Sequence, residues 1–456
     1  MISLALLGKL AGTVIVGPLT EKLGHKRTMF ITCSTQIVGV IIQVTSKTVA
    51  QFTVGRILIY IAVGLVENVT PTYQSEVLPA ALRCFFVGSI QLFSSLIAGI
   101  VNNEMAKHTT QAGWMIATAL QALPAVVIMI GLPFTPESPR WLLSQDRAEE
   151  ALVVLEKIRP KQDIREGLVS IELTAMRDDY IYQLEGGKRK ESWSALFKET
   201  NLRRTLIAST IMALQQLTGV TFSSSYGPTF YTQVGLGSMA FAYAAINNGV
   251  SVITAITGMI IFDTVGRRSV TFYGCIFQAV FLCLIGALGG KAVRTASDIH
   301  GMVASFIIYA AILHMTLGPA AYITAAEVGT SSLREKTMSF STAINVVVGF
   351  VVVFTTPYLM NPAYAGLGPN LGYVWGGFSV LGAAWVWLCL PELKDRTLEE
   401  TDELFATKIP AWRFKDYQTS SLSHDVAVLQ SNGDPTSVSK GTMMELEDVR
   451  KASDKN

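Results

Sequence analysis

Charge is scarce in this sequence. Asp, Glu, Lys and Arg make up 15% of the 456 residues, against about 25% in an ordinary soluble domain. Half of the chain is hydrophobic and its mean hydropathy is +0.40. Too few charges remain to solvate a globular surface, which excludes a soluble domain as the body of the chain. The net charge of +2 supplies no basic field for a phosphate backbone, so no nucleic-acid partner is expected. Cysteine is sparse too. Cys33, Cys84, Cys275, Cys283 and Cys389 are odd in number, lie mostly in apolar runs and lack paired metal-ligand spacing. They read as inert core thiols, and no metal site is expected. No glycine-rich phosphate loop opens a helix and no nucleophile stands beside a base in a soluble segment. Catalytic residues, cofactors and enzymatic activity are therefore not expected. No short apolar segment with a cleavage site precedes the body, so no removable signal peptide is expected.

What the sequence has instead is long apolar runs. A spanning helix needs about 20 largely apolar residues, and eleven candidates start near residues 1, 28, 51, 84, 114, 203, 239, 269, 301, 337 and 371. The fold class expected is an all-α polytopic membrane protein in a lipid bilayer. Loop charges orient it. Lys22, Lys26, Arg27 and Arg83, the thirteen Lys or Arg between 134 and 204, then Arg267, Arg268, Arg334, Lys336 and the tail all fall on one side. The alternate loops hold only Lys47, Lys107, Lys291 and Arg294. The positive-inside rule makes the basic side, and with it the C-terminal tail, cytoplasmic.

Three signatures recur at an offset of about 250 residues. Glu21-Lys22-Leu23-Gly24-His25-Lys26 is echoed by Asp263-Thr264-Val265-Gly266-Arg267-Arg268. Pro71, Tyr73, Glu76 and Arg83 are echoed by Pro319, Tyr322, Glu327 and Arg334, and Pro136-Glu137 by Pro391-Glu392. Two homologous helical halves follow, an arrangement common among transporters. The expected organisation is a first transmembrane bundle over 1–133, a cytoplasmic linker with short helices over 134–202, a second bundle over 203–391 and a tail over 392–456. The tail should form a short surface helix and then, beyond about 408, be disordered, because it has too little apolar surface to offset ordering entropy. Two spans precede Asp263 within the second half and only one precedes Glu21, so the first half reads as lacking its first helix.

The stretch 211–231 is uncharged but rich in amides and hydroxyls: Gln215, Gln216, Thr221, Ser225 and Tyr226. Such groups suit a neutral polyhydroxylated solute better than an ion. Gly219, Gly227 and Pro228 weaken the helix, and irregular backbone in hydrocarbon is tolerated against protein or a water-filled cavity. Polar glue between helices is the plainer alternative. The repeated acid, glycine and basic residues sit where a helix leaves the membrane into a tight loop. There an acid can pair with arginines of a neighbouring helix and act as a latch; simple topogenic charge is the bland alternative.

Several motifs together resemble the sugar porter family of the major facilitator superfamily, over residues 1 to about 405, with a likeness to fungal sugar permeases. They are Gly17, Glu21, Gly24, Lys26 and Arg27; Gly55-Arg56; Pro71-Thr72-Tyr73-Gln74-Ser75-Glu76; Pro136-Glu137-Ser138-Pro139-Arg140-Trp141-Leu142; Gln215-Gln216-Leu217-Thr218-Gly219; Asp263, Gly266, Arg267 and Arg268; Gly318-Pro319, Glu327 and Arg334; and Pro391-Glu392. The resemblance implies a major facilitator fold of two pseudo-symmetric bundles, here with eleven spans instead of twelve. It implies a sugar site from Gln91, Gln215, Gln216 and Asn345, joined by Thr221, which stands where many members have Asn. It implies a gating network of Glu21, Arg27, Arg56, Glu76, Arg83, Glu137, Arg140, Asp263, Arg267, Arg268, Glu327, Arg334 and Glu392. Val346 after Asn345, and the absence of tryptophan after Gly318-Pro319, leave the sugar open: a hexose, a disaccharide or a polyol.

Lys9, Arg56 and Glu67 are the ionisable residues left inside apolar spans. Arg56 resembles an arginine that faces an acid on the first helix of proton-coupled relatives. Lys9 is expected to snorkel outward and Glu67 to lie hydrated near the cytoplasmic end, with proton carrier as its alternative. The function expected is sugar transport by alternating access, with proton symport of a mono- or disaccharide ranked ahead of facilitative sugar or polyol uniport. A non-transporting sensor or truncated remnant is the rival class. A monomer in the plasma membrane is the family's default.

Overall fold

The computed structural model describes residues 2–78, 97–98, 100–101, 104–105, 111–165, 167–185, 193–236, 239–291, 293, 295–330, 333–361, 363–394, 396, 398–407 and 409–417. Three helices open the chain: α1 (Ile2–Leu23), α2 (His25–Val44) and α3 (Val49–Val77). Next come α4 (Gln111–Ala119) and α5 (Leu123–Gly131), joined through a 3-10 turn. Four polar helices follow: α6 (Pro139–Ser144), α7 (Ala148–Ile158), α8 (Lys161–Arg165) and α9 (Leu168–Glu185). Then come α10 (Glu199–Leu217), α11 (Val220–Tyr231), α12 (Ala240–Val265), α13 (Arg267–Gly289), α14 (Ala296–Met315), α15 (Leu317–Val328), α16 (Arg334–Met360) and α17 (Leu371–Cys389). The short α18 (Leu398–Ala406) closes the set.

Among the described residues, nine helical stretches are long and apolar enough to cross a membrane, starting at His25, Val49, Gly113, Thr200, Ala242, Arg267, Ala296, Arg334 and Gly368. Each falls at an expected span. Of the other two expected spans, the first corresponds to the 22-residue α1, and the one near residue 84 lies outside the described residues.

The same turn joins α1 to α2 and α12 to α13. A single glycine separates each pair, Gly24 at φ +84° and Gly266 at φ +103°, a region that only glycine enters without strain. The chain therefore reverses in one residue and sends basic side chains into the start of the next helix. Within the first half, α1 and α3 pack closely because Gly8, Gly12 and Gly64 face the opposing backbone. The largest apolar core belongs to α10–α17, centred on Phe222, Phe230, Tyr231, Phe306 and Tyr309. The linker helices hold a small core of their own around Leu142, Leu143, Leu155 and Val169. Arg159 fastens them to the end of α3, donating to the Val77 carbonyl at 3.1 Å while paired with Glu172 at 2.7 Å.

Two expectations are corrected here. Lys9 does not snorkel: its Nζ lies 2.8 Å from Glu67 Oε2 across the α1–α3 seam. With a rise of about 1.5 Å per residue, Glu67 sits about 15 Å from the end of α3 at Val77 and Lys9 about 20 Å from the end of α1 at Leu23, so Glu67 is not at the end of its helix. The close helix approach explains the pairing, since neither side chain needs to reach far. Residues 409–417, expected to be disordered, are also ordered, and those after 417 lie outside the described residues. Residues 411–416 form a 3-10 turn, and Phe405 and Phe414 are fully buried. Arg203 lies 5.4 and 5.5 Å over their two rings and donates to the Ile409 carbonyl at 2.7 Å. Arg204 pairs with Asp402 and covers the Phe405 ring at 4.4 Å. Leu404, Phe405, Ile409, Phe414 and Tyr417 supply the missing apolar surface.

Candidate functional site: an amide cluster and two charge latches

The helix break at Gly219, with φ +93°, separates α10 from α11 and places four expected site residues together. Gln215 donates to the Gly318 carbonyl at 2.8 Å, and Gln216 donates to Asn345 Oδ1 at 3.0 Å. Asn345 returns its own amide hydrogens to Met212 O at 2.8 Å and Gln215 Oε1 at 2.9 Å. Thr221 Oγ1 donates to Gln216 Oε1. Asn345 has no exposed surface and its amide is spent on these bonds, so it orients the glutamines from behind. Gln215 and Gln216 each keep an amide hydrogen beyond the bonds named.

The break is walled by Tyr309, whose hydroxyl donates to the Thr218 carbonyl at 2.8 Å, and by Trp375, which packs against Gly219. Trp375 Nε1, Ser223 Oγ, Asn247 Oδ1, Ser251 Oγ and Thr342 Oγ1 are buried without hydrogen-bond partners. Leaving such groups unsatisfied costs about 1–3 kcal/mol each, which a hydroxylated solute or water would offset. Sequence reasoning passed over Trp375, because an aromatic at helical spacing reads as core. Gln91 lies outside the described residues, as does the side chain of Ser225.

The second-half latch is compact. Glu392 accepts from the backbone N–H of Arg267 at 2.9 Å and of Arg268 at 3.1 Å, capping the positive end of α13. The Arg267 guanidinium pairs with Glu327 at 3.1 Å, both side chains buried. Arg268 donates to the Trp387 carbonyl at 2.5 Å and lies 5.1 Å over its ring. Asp263 ends α12 one turn earlier; its side chain lies outside the described residues.

The first-half latch repeats the frame with a different outcome. Glu137 accepts from the backbone N–H of His25 at 3.0 Å and of Lys26 at 3.2 Å. Where Arg267 stands in the second half, the first half has His25. Its Nε2 is 3.8 Å from Glu76 Oε2 and 2.8 Å from Glu335 Oε1 of α16. Glu76 also accepts from Ser138 Oγ at 2.6 Å and pairs with the fully buried Arg334 of α16 at 3.3 Å. Arg140 is close enough to act on the Glu76 charge. At the rim, Glu21 meets Lys336 at 3.5 Å. This latch therefore joins the two halves at the end carrying the basic loops.

The network residues Glu21, Glu76, Glu137, Arg140, Arg267, Arg268, Glu327, Arg334 and Glu392 are thus gathered into these two clusters. Arg27 is exposed, and the residues of its helix turn that reach the cluster are His25 and Lys26. Arg56 stands apart, 5.9 Å over the ring of Tyr60 on its own helix. Arg83 lies outside the described residues. His25 and Glu335 were missed by sequence reasoning. The repeat register, which sets His25 opposite Arg267, was the signal for the first; nothing in the sequence marks the second.

A profile described as "Sugar (and other) transporter" matches residues 1–405. The chain is 28% identical over 453 residues to the "Probable high-affinity hexose transporter ght7" of Schizosaccharomyces pombe, covering 95% of this chain and 86% of that protein. It is 30% identical over 424 residues to the "General alpha-glucoside permease" of Saccharomyces cerevisiae, covering 90% of this chain and 67% of the permease. Its fold is similar to that of the proton:xylose symporter XylE bound to 6-bromo-6-deoxy-D-glucose. The TM-score is 0.78 at 22% sequence identity, with 89% of this chain and 88% of that chain covered.

Proposed function

Because the chain belongs to the sugar (and other) transporter family of the major facilitator superfamily, a family of transporters and not of enzymes, we propose that it carries a mono- or disaccharide by alternating access, coupled to protons. In this reading the spans number eleven, residues 1–133 and 203–391 are the two rocking bundles, 134–202 is a cytoplasmic linker, 392–456 is a cytoplasmic tail, and the plasma membrane is the location. The carrying observation is the buried set of uncharged amides at a helix break, Gln215 and Gln216 held by Asn345 and Thr221. Amides exchange hydrogen bonds with sugar hydroxyls without binding an ion. Gln91 completes the site from the first bundle. The sugar class is supported by the relatives' names, which span hexose and α-glucoside.

The gating network then has a physical task. Buried pairs between halves must break when the site opens to the basic-loop face, and each such pair holds the closed form until the other arrangement offsets it. Facilitative uniport is the second reading. It needs no titrating group in addition to the amide cluster, and Arg56 rests on Tyr60.

Uptake of a labelled panel of hexoses, disaccharides and polyols in a transport-deficient yeast, with and without a protonophore, tests both readings. Uptake of one sugar that collapses with the protonophore is expected, and uptake that survives it identifies a uniporter. Gln215→Ala should lower uptake at least about tenfold, the equivalent of about 1.4 kcal/mol, at unchanged protein level. Unaltered uptake by that variant would remove the site assignment.

A further inference from the structure

The two latches occupy equivalent places in the repeat but use different cations. Arg267 is charged at any physiological pH, whereas His25 is charged only when protonated. His25 is also aimed across the bundle interface, at Glu335. With Glu335 ionised, Nε2, 2.8 Å from its Oε1, carries the hydrogen, since a carboxylate only accepts. In a neutral ring Nδ1 would then bear a lone pair, and Nδ1 is buried, without a hydrogen-bond partner and 3.8 Å from Glu137 Oε1. A lone pair facing a carboxylate is repulsive; an N–H there is attractive. The doubly protonated ring fits its surroundings at both nitrogens.

We propose that His25 is a proton-binding site that locks the two halves: protonated, it ties Glu335 of the second half to Glu76 and Glu137 of the first, and its deprotonation loosens that closure. The charged groups facing it come from every neighbouring element. Lys26 on its own helix is spent on the carbonyls of Pro133 at 3.2 Å and Thr135 at 3.0 Å. On α3 stand Glu76 and Tyr73, the latter with its ring 5.8 Å from the imidazole. Glu137 and Arg140 come from the start of the linker, Glu21 from α1, and Arg334, Glu335 and Lys336 from α16. Opening carries α16 away, and with it Glu335. Arg334 leaves too and frees Glu76, but Glu76 lies 3.8 Å from Nε2 against 2.8 Å for Glu335, so losing the shorter contact decides the sign. The closed form therefore holds the proton more tightly than the open form, and by linkage the proton favours closure. The sign follows: acidification at this face keeps the lock shut, and rising pH releases it. With the orientation proposed above, cytoplasmic acid would throttle the carrier.

The inference rests on the alternating-access reading for what opening means, but its test does not depend on sugar transport. In the full chain, with native cysteines replaced and held in lipid nanodiscs, spin labels at the exposed positions Lys22 and Thr407 report separation of the halves between pH 5.5 and 8.5. The open-to-closed ratio should rise with pH, by at most about tenfold per unit for one linked proton. H25R should stay closed and H25Q should stay open, both without the pH response. If either variant fails to insert, E335Q serves in its place and should reduce the response. A wild-type distance indifferent to pH, or a pH response that persists in H25Q or is undiminished in E335Q, overturns the proposal. Absence of sugar uptake alongside an intact pH response would instead count against the transport reading alone.

Discussion

The two latches share a glycine turn, an acid that caps the following helix and a second acid beside it, yet they hold different things together. In the second half, Arg267 satisfies Glu327 inside one bundle. In the first half, the weaker reach of histidine leaves Glu76 available, and Arg334 crosses from the other bundle to take it. The lesson is that a duplicated motif diverges through its cation. Among the described contacts, the permanent charge of Arg267 pairs within its own bundle, while the titratable His25 reaches Glu335 across the interface.

The comparison is broken most severely by Arg267→Ala. It removes the buried cation paired with Glu327, a change that typically costs about 3–5 kcal/mol, and it should lower thermal stability in detergent by the same amount with or without sugar. Next in size, Glu76→Gln should cost less, because the isosteric amide oxygen can still accept from Ser138 or Arg334. Its signature should be a shift of state: greater labelling from the basic-loop face at nearly unchanged melting temperature. Equal destabilisation by the two substitutions would erase the distinction between staple and lock. The smallest effect is expected at the rim. Lys336→Ala removes a pair whose acid is 44% exposed, and stability should change by no more than about 1 kcal/mol, which thermal unfolding of the purified protein would measure.

The apolar runs and loop charges made most of the fold legible, because a helix in lipid must satisfy its own backbone and announces its length. The repeat made the acids and arginines legible, since Glu76 with Arg83 and Glu327 with Arg334 share one spacing. Partnership was not legible. Arg334 bonds an acid of the other half, and His25 finds Glu335, pairings set by how the bundles meet and not by any local spacing. Lys9 and Glu67 likewise lie far apart in sequence and read as separate problems until α1 and α3 are seen side by side. The segment 409–417 was masked by its polar neighbours, although Trp412 and Phe414 were visible within it. At the amide cluster the residue types were plain, while the division of labour between Asn345 and the glutamines required knowing which hydrogen bonds were already spent.

The Lys9–Glu67 contact has a consequence for biogenesis. Each residue alone adds about 2.5 to 3.5 kcal/mol to the cost of placing its helix in a bilayer, whereas side by side the opposite charges screen one another from the acyl chains. Neither helix is a good client for lateral release by itself. The pairing favours an insertion order in which α1 is retained until α3 has been synthesised, so that the two enter lipid together.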